Sequence, residues 1–286
     1  MLERDGYPPG VPCWVDTRQP DPDAAAAFYG GLFGWEFEDR SPAGSSERYL
    51  VAQLRGRDVA GIGSRPEAAP PTPVWSTYVW VESADAAAAQ AKDAGGSVLM
   101  EPFDVAGAGR MAVLADPSGA GFCVWQAGGS KGSQLVNEPG TWNFSGLNTR
   151  DPEGALAFYG ALFGWEADSP GTEGDFGAWR KPGYGDFLEQ REPGLRRRMA
   201  DFEAPAGFED AVVWLVPMTP EQFPADTPPH WSITFAVADA DAAAGRVAEL
   251  GGQVLVPPFD APWVRMAVVS DPQGAVFTAS QFVPPT

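Results

Sequence analysis

The sequence predicts an α+β protein built from four β-α-β-β-β modules, and three repeats carry that prediction. A nine-residue stretch occurs twice, Phe28-Tyr-Gly-Gly-Leu-Phe-Gly-Trp-Glu36 and Phe158-Tyr-Gly-Ala-Leu-Phe-Gly-Trp-Glu166, 130 positions apart. A longer block opening Trp75-Ser-Thr-Tyr-Val-Trp-Val returns as Trp231-Ser-Ile-Thr-Phe-Ala-Val, both running on to Ala-Asp-Ala-Ala-Ala, at an offset of 156. After one deleted residue, Arg110-Met-Ala-Val-Leu-Ala-Asp-Pro-Ser-Gly119 returns as Arg265-Met-Ala-Val-Val-Ser-Asp-Pro-Gln-Gly274. Two homologous halves follow, because repetition on this scale fixes architecture ahead of any local signal. The change of offset places 26 additional residues between the repeat blocks of the second half.

Each element has a local reason. Residues 13–18 and 144–149 are short extended segments. Asp21-Pro22 and Asp151-Pro152 then supply a cap and a first-turn proline for an Ala-rich helix, which Gly34 or Gly164 stops. Residues 49–54 and 59–62, divided by Gly56, predict a hairpin, and residues 68–73 a proline-rich connector. Strands are expected near Val98 and over residues 111–115 and 121–126, with Asp116-Pro-Ser-Gly119 as a tight turn. Residues 1–10 predict a loose polar lead-in. The domain reading is residues 1–127, a Gly-rich linker over 128–140, and residues 141–286 with the insertion near 172–229. Within that insertion Arg196-Arg-Arg198 is expected in a solvated loop, and the segment as a whole in an irregular flap.

Bulk properties narrow the function. With 286 residues there is length for two domains, each with its own core. A formal charge of −19 repels phosphate backbones and anionic lipid, which argues against nucleic acid and membrane partners. There is neither an apolar run long enough to span a bilayer nor a basic, apolar leader, so a cytoplasmic monomer or homodimer is expected. Two cysteines are too few for a disulfide framework, and the single His230 excludes a site needing two imidazoles.

The ordered set of motifs (Asp-Pro and a helix ending Phe-Tyr-x-x-Leu-Phe-Gly-Trp, then Ala-Asp-Ala-Ala-Ala, then Gly-Arg-Met-Ala-Val-x-x-Asp-Pro-x-Gly-Ala), present twice, resembles the vicinal oxygen chelate superfamily. That superfamily groups glyoxalase I, extradiol dioxygenases and bleomycin-resistance proteins, and the resemblance covers roughly residues 11–127 and 141–282. It is closest to tandem-domain actinobacterial members of glyoxalase-like type. The resemblance implies that paired modules curl into two half-open β-barrels whose hollows hold a ligand, with helices outside. It also implies a metal, held by His on the first and fifth strands and Glu on the last. The matching positions here are Trp14, Ser76 and Cys123 in the first half and Phe144, Ser232 and Thr278 in the second. None is an imidazole or carboxylate, so no metal and no other cofactor is expected.

Strand alternation assigns the residues of each hollow. Trp14, Asp16 and Arg18, then Ser76, Tyr78 and Trp80, then Cys123 and Trp125 face the first, while Val15, Val79, Val81, Phe122 and Val124 face the helices. Phe144, Gly146, Asn148, His230, Ser232, Thr234, Thr278 and Ser280 face the second. The aromatics either line a small-molecule pocket or fill the hollow as core. Asp16 is either a general base or an Arg18-paired carboxylate, and Cys123 a nucleophile or a packed thiol. Arg110 and Arg265 have Asp104 and Asp260 as available partners. Two functions survive. One is a metal-independent protein that binds a small aromatic or hydrophobic metabolite, similar to bleomycin-resistance proteins, in a sequestration, resistance or carrier role. The other is an enzyme of natural-product biosynthesis, either cofactor-free and using Asp16 for proton transfer or, against the missing ligands, a metal-dependent lyase or dioxygenase. Of the two hollows, the first offers the larger aromatic surface by sequence (Trp14, Tyr78, Trp80 and Trp125, with Asp16 and Ser76 as polar handles), so an aromatic ligand is expected on the first-half face, strands of both halves being allowed to share a barrel.

Overall fold

The computed structural model describes residues 3–41, 44–66, 72–167, 177–201, 204 and 207–284. The first module runs β1 (Pro12–Gln19), α1 (Pro22–Phe33), β2 (Glu36–Asp39), β3 (Tyr49–Leu54) and β4 (Arg57–Ser64). The second runs β5 (Trp75–Trp80), α2 (Ala84–Asp93), β6 (Ser97–Val105), β7 (Gly109–Ala115) and β8 (Gly121–Ala127). The third holds β9 (Trp142–Thr149), α3 (Pro152–Phe163), β10 (Ala178–Arg180), α4 (Tyr184–Arg191), α5 (Leu195–Asp201) and β11 (Ala211–Pro217). The fourth is β12 (His230–Ala236), α6 (Ala240–Glu249), β13 (Gln253–Ala261), β14 (Val264–Ser270) and β15 (Val276–Phe282). In the third module a single bridge between Glu166 and Arg180 stands where the first has β2.

The helices start and stop where their sequence dictates. Asp21 and Asp151 accept hydrogen bonds from the amides of Ala24 and Gly154, and Gly34 and Gly164 close the helices in the left-handed region at φ 72 and 67. Ser83 and Asp239 cap α2 and α6 in the same way.

Strand order is β2-β3-β4-β1-β5-β8-β7-β6 in one sheet and β10-β11-β9-β12-β15-β14-β13 in the other. Antiparallel pairing of β1 with β5, and of β9 with β12, joins two modules into one sheet, so each curled sheet belongs to one half. Neither closes: the end strands have one neighbour each. The architecture is thus α+β, with two open, curled sheets and the helices outside.

The repeated nonapeptide has a purpose that local structure does not explain: each copy packs on the other half. Tyr29 and Phe33 of α1 lie 5.8 and 5.0 Å from Phe277 and Phe235 of the second sheet. Reciprocally, Phe122 of the first sheet lies 5.3 Å from Tyr159 and 5.9 Å from Phe163 of α3. The Tyr29 hydroxyl donates to Asp271 (3.0 Å), and the Tyr159 hydroxyl to Asp116 (3.2 Å). Trp35 donates to the carbonyl of Gly140 and Trp165 to that of Gly10. Gly10 must be glycine: its φ is 83, and a Cβ would sit 2.7 Å from the Phe163 carbonyl oxygen. Burying each such ring contributes about 1.5–3 kcal/mol, so the two halves hold each other through a packed apolar contact.

Three expectations are corrected. The lead-in is not loose, because Tyr7 is buried and its hydroxyl donates to the Ser133 carbonyl at 2.6 Å. Residues 128–140 do connect the sheets, but Ser133, Leu135 and Val136 are buried, and the Ser133 amide bonds to the Cys13 carbonyl. Among its described residues the insertion is not an irregular flap throughout. It folds into α4 and α5, and Arg196, expected in a loop, sits in α5 with ion pairs to Asp186 (2.7 Å) and Glu209 (3.1 Å). Buried Leu188 and the Asp210 carboxylate, which accepts from the Gly185 amide, anchor α4. Residues 172–176, 202–203 and 205–206 of the expected flap and 68–71 of the proline-rich connector lie outside the described residues.

Candidate functional site

The concave face of the first sheet collects the side chains that alternation assigned to it. Asp16 stands opposite Ser76 in the β1/β5 register, Trp14 opposite Tyr78, and Tyr78 beside Cys123 in the parallel β5/β8 pair. Asp16 is 1% exposed. Its Oδ2 accepts from the Tyr78 hydroxyl at 2.8 Å and the Tyr49 hydroxyl at 3.2 Å, and lies 3.6 Å from Nη2 of Arg18. Its Oδ1 has no hydrogen-bond partner. Burial raises the Asp16 carboxyl above the ordinary carboxylate range, outweighing the opposing pull of Arg18 and the two phenols. Burial likewise pushes the Cys123 thiol up, so it stays protonated as a packed thiol.

Tyr49 was not foreseen. Its hydroxyl accepts from Trp14 Nε1 at 3.1 Å while donating to Asp16, and Arg18 lies over its ring at 5.2 Å. Room for this comes from β4: a Cβ on Gly61 would meet the Tyr49 hydroxyl at 2.3 Å, and one on Gly63 the Arg18 guanidinium at 2.6 Å. Gly-x-Gly on a hollow-facing strand was the available signal. The aromatics of this hollow serve mostly as its floor. Trp14, Tyr78 and Trp125 are 8%, 4% and 8% exposed, and Trp80 is half-buried against Tyr7. Little of their faces is left for stacking, because Tyr49 and their mutual contacts cover them.

The second hollow is the more open. Phe144 of β9, Trp214 of β11 and Phe208 are all half-buried, with ring separations of 5.4 Å (Phe144–Trp214), 6.3 Å (Phe144–Phe208) and 5.8 Å (Phe208–Trp214). Beside them run Ser232 and Thr234 of β12 and Thr278 of β15, also half-buried, with Thr234 level with both Phe144 and Thr278. The Asn148 amide donates to Ser232 Oγ at 2.9 Å. Trp214 and Phe208 were missed by sequence reasoning: both belong to the part of the second half that breaks the repeat. His230 is at the rim, its Nδ1 2.9 Å from the Pro228 carbonyl and its ring 6.2 Å from Phe223. It lies on the second sheet, whereas Asp16 and Cys123 lie on the first. Arg110 and Arg265 are taken by Asp85 with Asp104 and by Asp241 with Asp260, so neither reaches toward a ligand.

Two curled sheets of paired modules, with hollows at these strand positions, define a tandem glyoxalase-like protein, and the family model of the glyoxalase-like domain matches residues 14–125 and 145–280. The chain belongs to that family, within the vicinal oxygen chelate superfamily. It is 38% identical, over 99% of both chains, to the Mycobacterium tuberculosis protein named "Putative glyoxylase CFP32". It is 33% identical to the anthracycline biosynthesis protein DauV of a Streptomyces species, over 95% of this chain and 93% of that one. Among solved structures it resembles in fold the Mn(II)-bound glyoxalase of Novosphingobium aromaticivorans, with TM-score 0.58, 16% identity, and 95% of this chain and 82% of that one covered. The 2,3-dioxygenase LapB of a Pseudomonas species has TM-score 0.58 and 12% identity, with 97% and 95% covered.

The residues present do not fit a divalent metal. Among the described residues no three His, Cys, Asp or Glu side chains are grouped to hold one. The nearest carboxylate, that of Asp16 two residues along β1 from Trp14, already accepts from two phenols, and a dication there would face the Arg18 guanidinium. Among the described residues, no helix is long and apolar enough to cross a membrane.

Proposed function

We propose that this chain is a metal-independent small-molecule-binding protein whose ligand is a planar aromatic compound held in the second hollow. The carrying observation is the trio Phe144, Phe208 and Trp214, half-buried on a concave face beside the hydroxyls of Ser232, Thr234 and Thr278. Rings that offer a face to solvent stack on a flat ligand, and the hydroxyls fix its carbonyl or hydroxyl groups. The likeness to DauV and to the Streptomyces peucetius protein DnrV, both named for anthracycline biosynthesis, supports a place in secondary metabolism. A formal charge of −19 favours a neutral or cationic ligand over an anionic one. A carrier or sequestering role follows, in the cytoplasm.

Titration with 1,8-dihydroxyanthraquinone, followed by tryptophan fluorescence and calorimetry before and after exhaustive chelation, tests this. Binding that survives chelation and weakens at least tenfold, about 1.4 kcal/mol, in Trp214→Ala supports it. Binding that disappears on chelation and returns with one equivalent of a divalent metal overturns it.

A further inference from the structure

The first hollow holds a second arrangement that aromatic binding does not use: a buried carboxylate with one free oxygen, fixed beside a guanidinium. Asp16 Oδ2 is held by Tyr78 and Tyr49, and Oδ1 is left without a partner on a residue 1% exposed. An orphaned buried oxygen is costly, and its persistence in so constructed a network points to a role. The construction is specific, since Gly61 and Gly63 leave the space that Tyr49 and Arg18 fill.

From this geometry we infer that Asp16 and Arg18 form a metal-free proton-transfer site for a carbon acid, the substrate class being aromatic 1,3-dicarbonyl compounds. Asp16 Oδ1 takes a proton from the carbon between the carbonyls: the C–H bond breaks, an O–H bond forms, and the electron pair moves onto a carbonyl oxygen. Arg18 stabilises that enolate oxygen, and return of the proton to carbon or oxygen completes the exchange without a co-reactant. The carbon between two carbonyls is far more acidic than the α-carbon of a simple ketone, so one carboxylate with one cation is enough to exchange its proton. Arg18, 39% exposed, and half-buried Tyr49 are the members of the cluster nearest solvent, and rotation of their side chains is the route to Oδ1 that the proposal requires.

The groups facing Asp16 are Arg18 on its own strand, Tyr49 of β3, Tyr78 of β5 and Cys123 of β8. Burial keeps the carboxyl protonated above the ordinary range, so the base form, and the rate, grow as pH rises through that elevated value. Removing Arg18 takes away a charge that favours the carboxylate and moves the profile further up.

The probe is 1-phenylbutane-1,3-dione in deuterium oxide, with exchange at the central carbon followed by proton NMR. This inference does not rest on the aromatic-binding reading, since each hollow is read by its own probe. Wild type is expected to exceed the buffer rate by about 100-fold or more. Asp16→Asn, checked for native circular dichroism and a cooperative melt, should fall to the buffer rate. Arg18→Gln should retain a pH-dependent rate with its midpoint displaced upward, which a merely structural arginine would not cause. Exchange no faster than buffer in wild type, exchange that persists in folded Asp16→Asn, or an Arg18→Gln profile with an unmoved midpoint would each overturn it.

Discussion

Removing one hydroxyl from each copy of the repeated helix should have unequal consequences. Tyr159, fully buried, donates to Asp116 Oδ2 and accepts from Trp231 Nε1 at 3.1 Å. Tyr29 does the same between Asp271 Oδ2 and Trp75 Nε1, also at 3.1 Å. The difference is Gln19, whose amide gives Asp271 Oδ2 a second donor at 2.7 Å, while Asp116 Oδ2 has Tyr159 as its one hydrogen-bond donor among the described residues. Tyr159→Phe keeps the ring and its stacking but strands both a carboxylate oxygen and an indole N–H in the core. A hydrogen bond to a charged group contributes about 1.5–3 kcal/mol and a stranded buried donor costs about 1–3, so Tyr159→Phe should lose about 2.5–6 kcal/mol. Tyr29→Phe leaves Asp271 served by Gln19, strands only the Trp75 N–H, and should lose about 1–3 kcal/mol.

For a chain of this length about 2 °C is lost per kcal/mol, so scanning calorimetry should place Tyr159→Phe about 5–12 °C below wild type and Tyr29→Phe about 2–6 °C below. Urea midpoints should rank the variants identically. If Tyr29→Phe is the more damaging of the two, or if neither shifts the midpoint, the clasp between the halves does not carry the energy assigned to it here.

Four more outcomes are expected. Asp16 is raised by burial, so the folded chain holds a proton that the unfolded chain has released; this contribution is complete below the unfolded value and declines as pH rises through the folded one. Melting of wild type against Asp16→Asn from about pH 4 to about pH 8 should therefore show the variant gaining on wild type with rising pH, and a constant gap would contradict the shift. Trp14→Ala and Trp125→Ala remove buried rings and should cost about 3–5 kcal/mol of stability, whereas Phe144→Ala should leave the melt nearly unchanged and weaken anthraquinone binding about tenfold; the reverse pattern would put the ligand in the first hollow. Cys13 and Cys123 are buried and shifted toward the thiol form, so a chromogenic disulfide reagent should label neither until the protein unfolds; rapid labelling in buffer would show an open hollow. Trp263, in the β13–β14 turn, is 39% exposed with φ 60, a region that β6–β7 fills with Gly107 at φ 71; Trp263→Gly should stabilise by up to about 1 kcal/mol in urea titration, and a loss would mean that the indole is packed more firmly than its exposure indicates.

What the sequence made legible divides along physical lines. Caps, turns and alternation are local, so the helix starts at Asp21 and Asp151, the Gly34 and Gly164 stops and the hollow-facing set on β1, β5 and β8 could all be read from a few neighbours. Periodicity says which face of an element is buried but not against what. Hence the packing of α1 on Phe235 and Phe277, and of α3 on Phe122, was invisible although the residues that make it were the most obvious repeat in the chain. The insertion was misjudged because its helices are short and polar, held by ion pairs and by one buried leucine rather than by an apolar stripe.

The contents of the hollows were the hardest to read, since they depend on side-chain volume across strands distant in sequence. At one register the first half pairs Asp16 with Gly61, and the second half pairs Gly146 with Trp214. Large and small have changed places. In the first half the long side chain rises from β1, and the bare glycine of β4 lets the Tyr49 hydroxyl of β3 come down onto it, which buries Asp16 and closes the floor. In the second half the bare residue is on β9, and the indole on the neighbouring strand stays half-exposed beside Phe144. One exchange of volume between paired strands thus accounts for both a closed hollow with a perturbed carboxylate and an open one with aromatic walls. Restoring the first-half pattern in the second, by Gly146→Asp with Trp214→Gly, should close nothing, because β10, which takes the place of β3, carries no tyrosine over residues 178–180 to lay a phenol over the new carboxylate. The double variant should instead show a solvated aspartate of ordinary acidity, and a raised one by carboxyl NMR titration would mean that burial in the first hollow owes nothing to Tyr49.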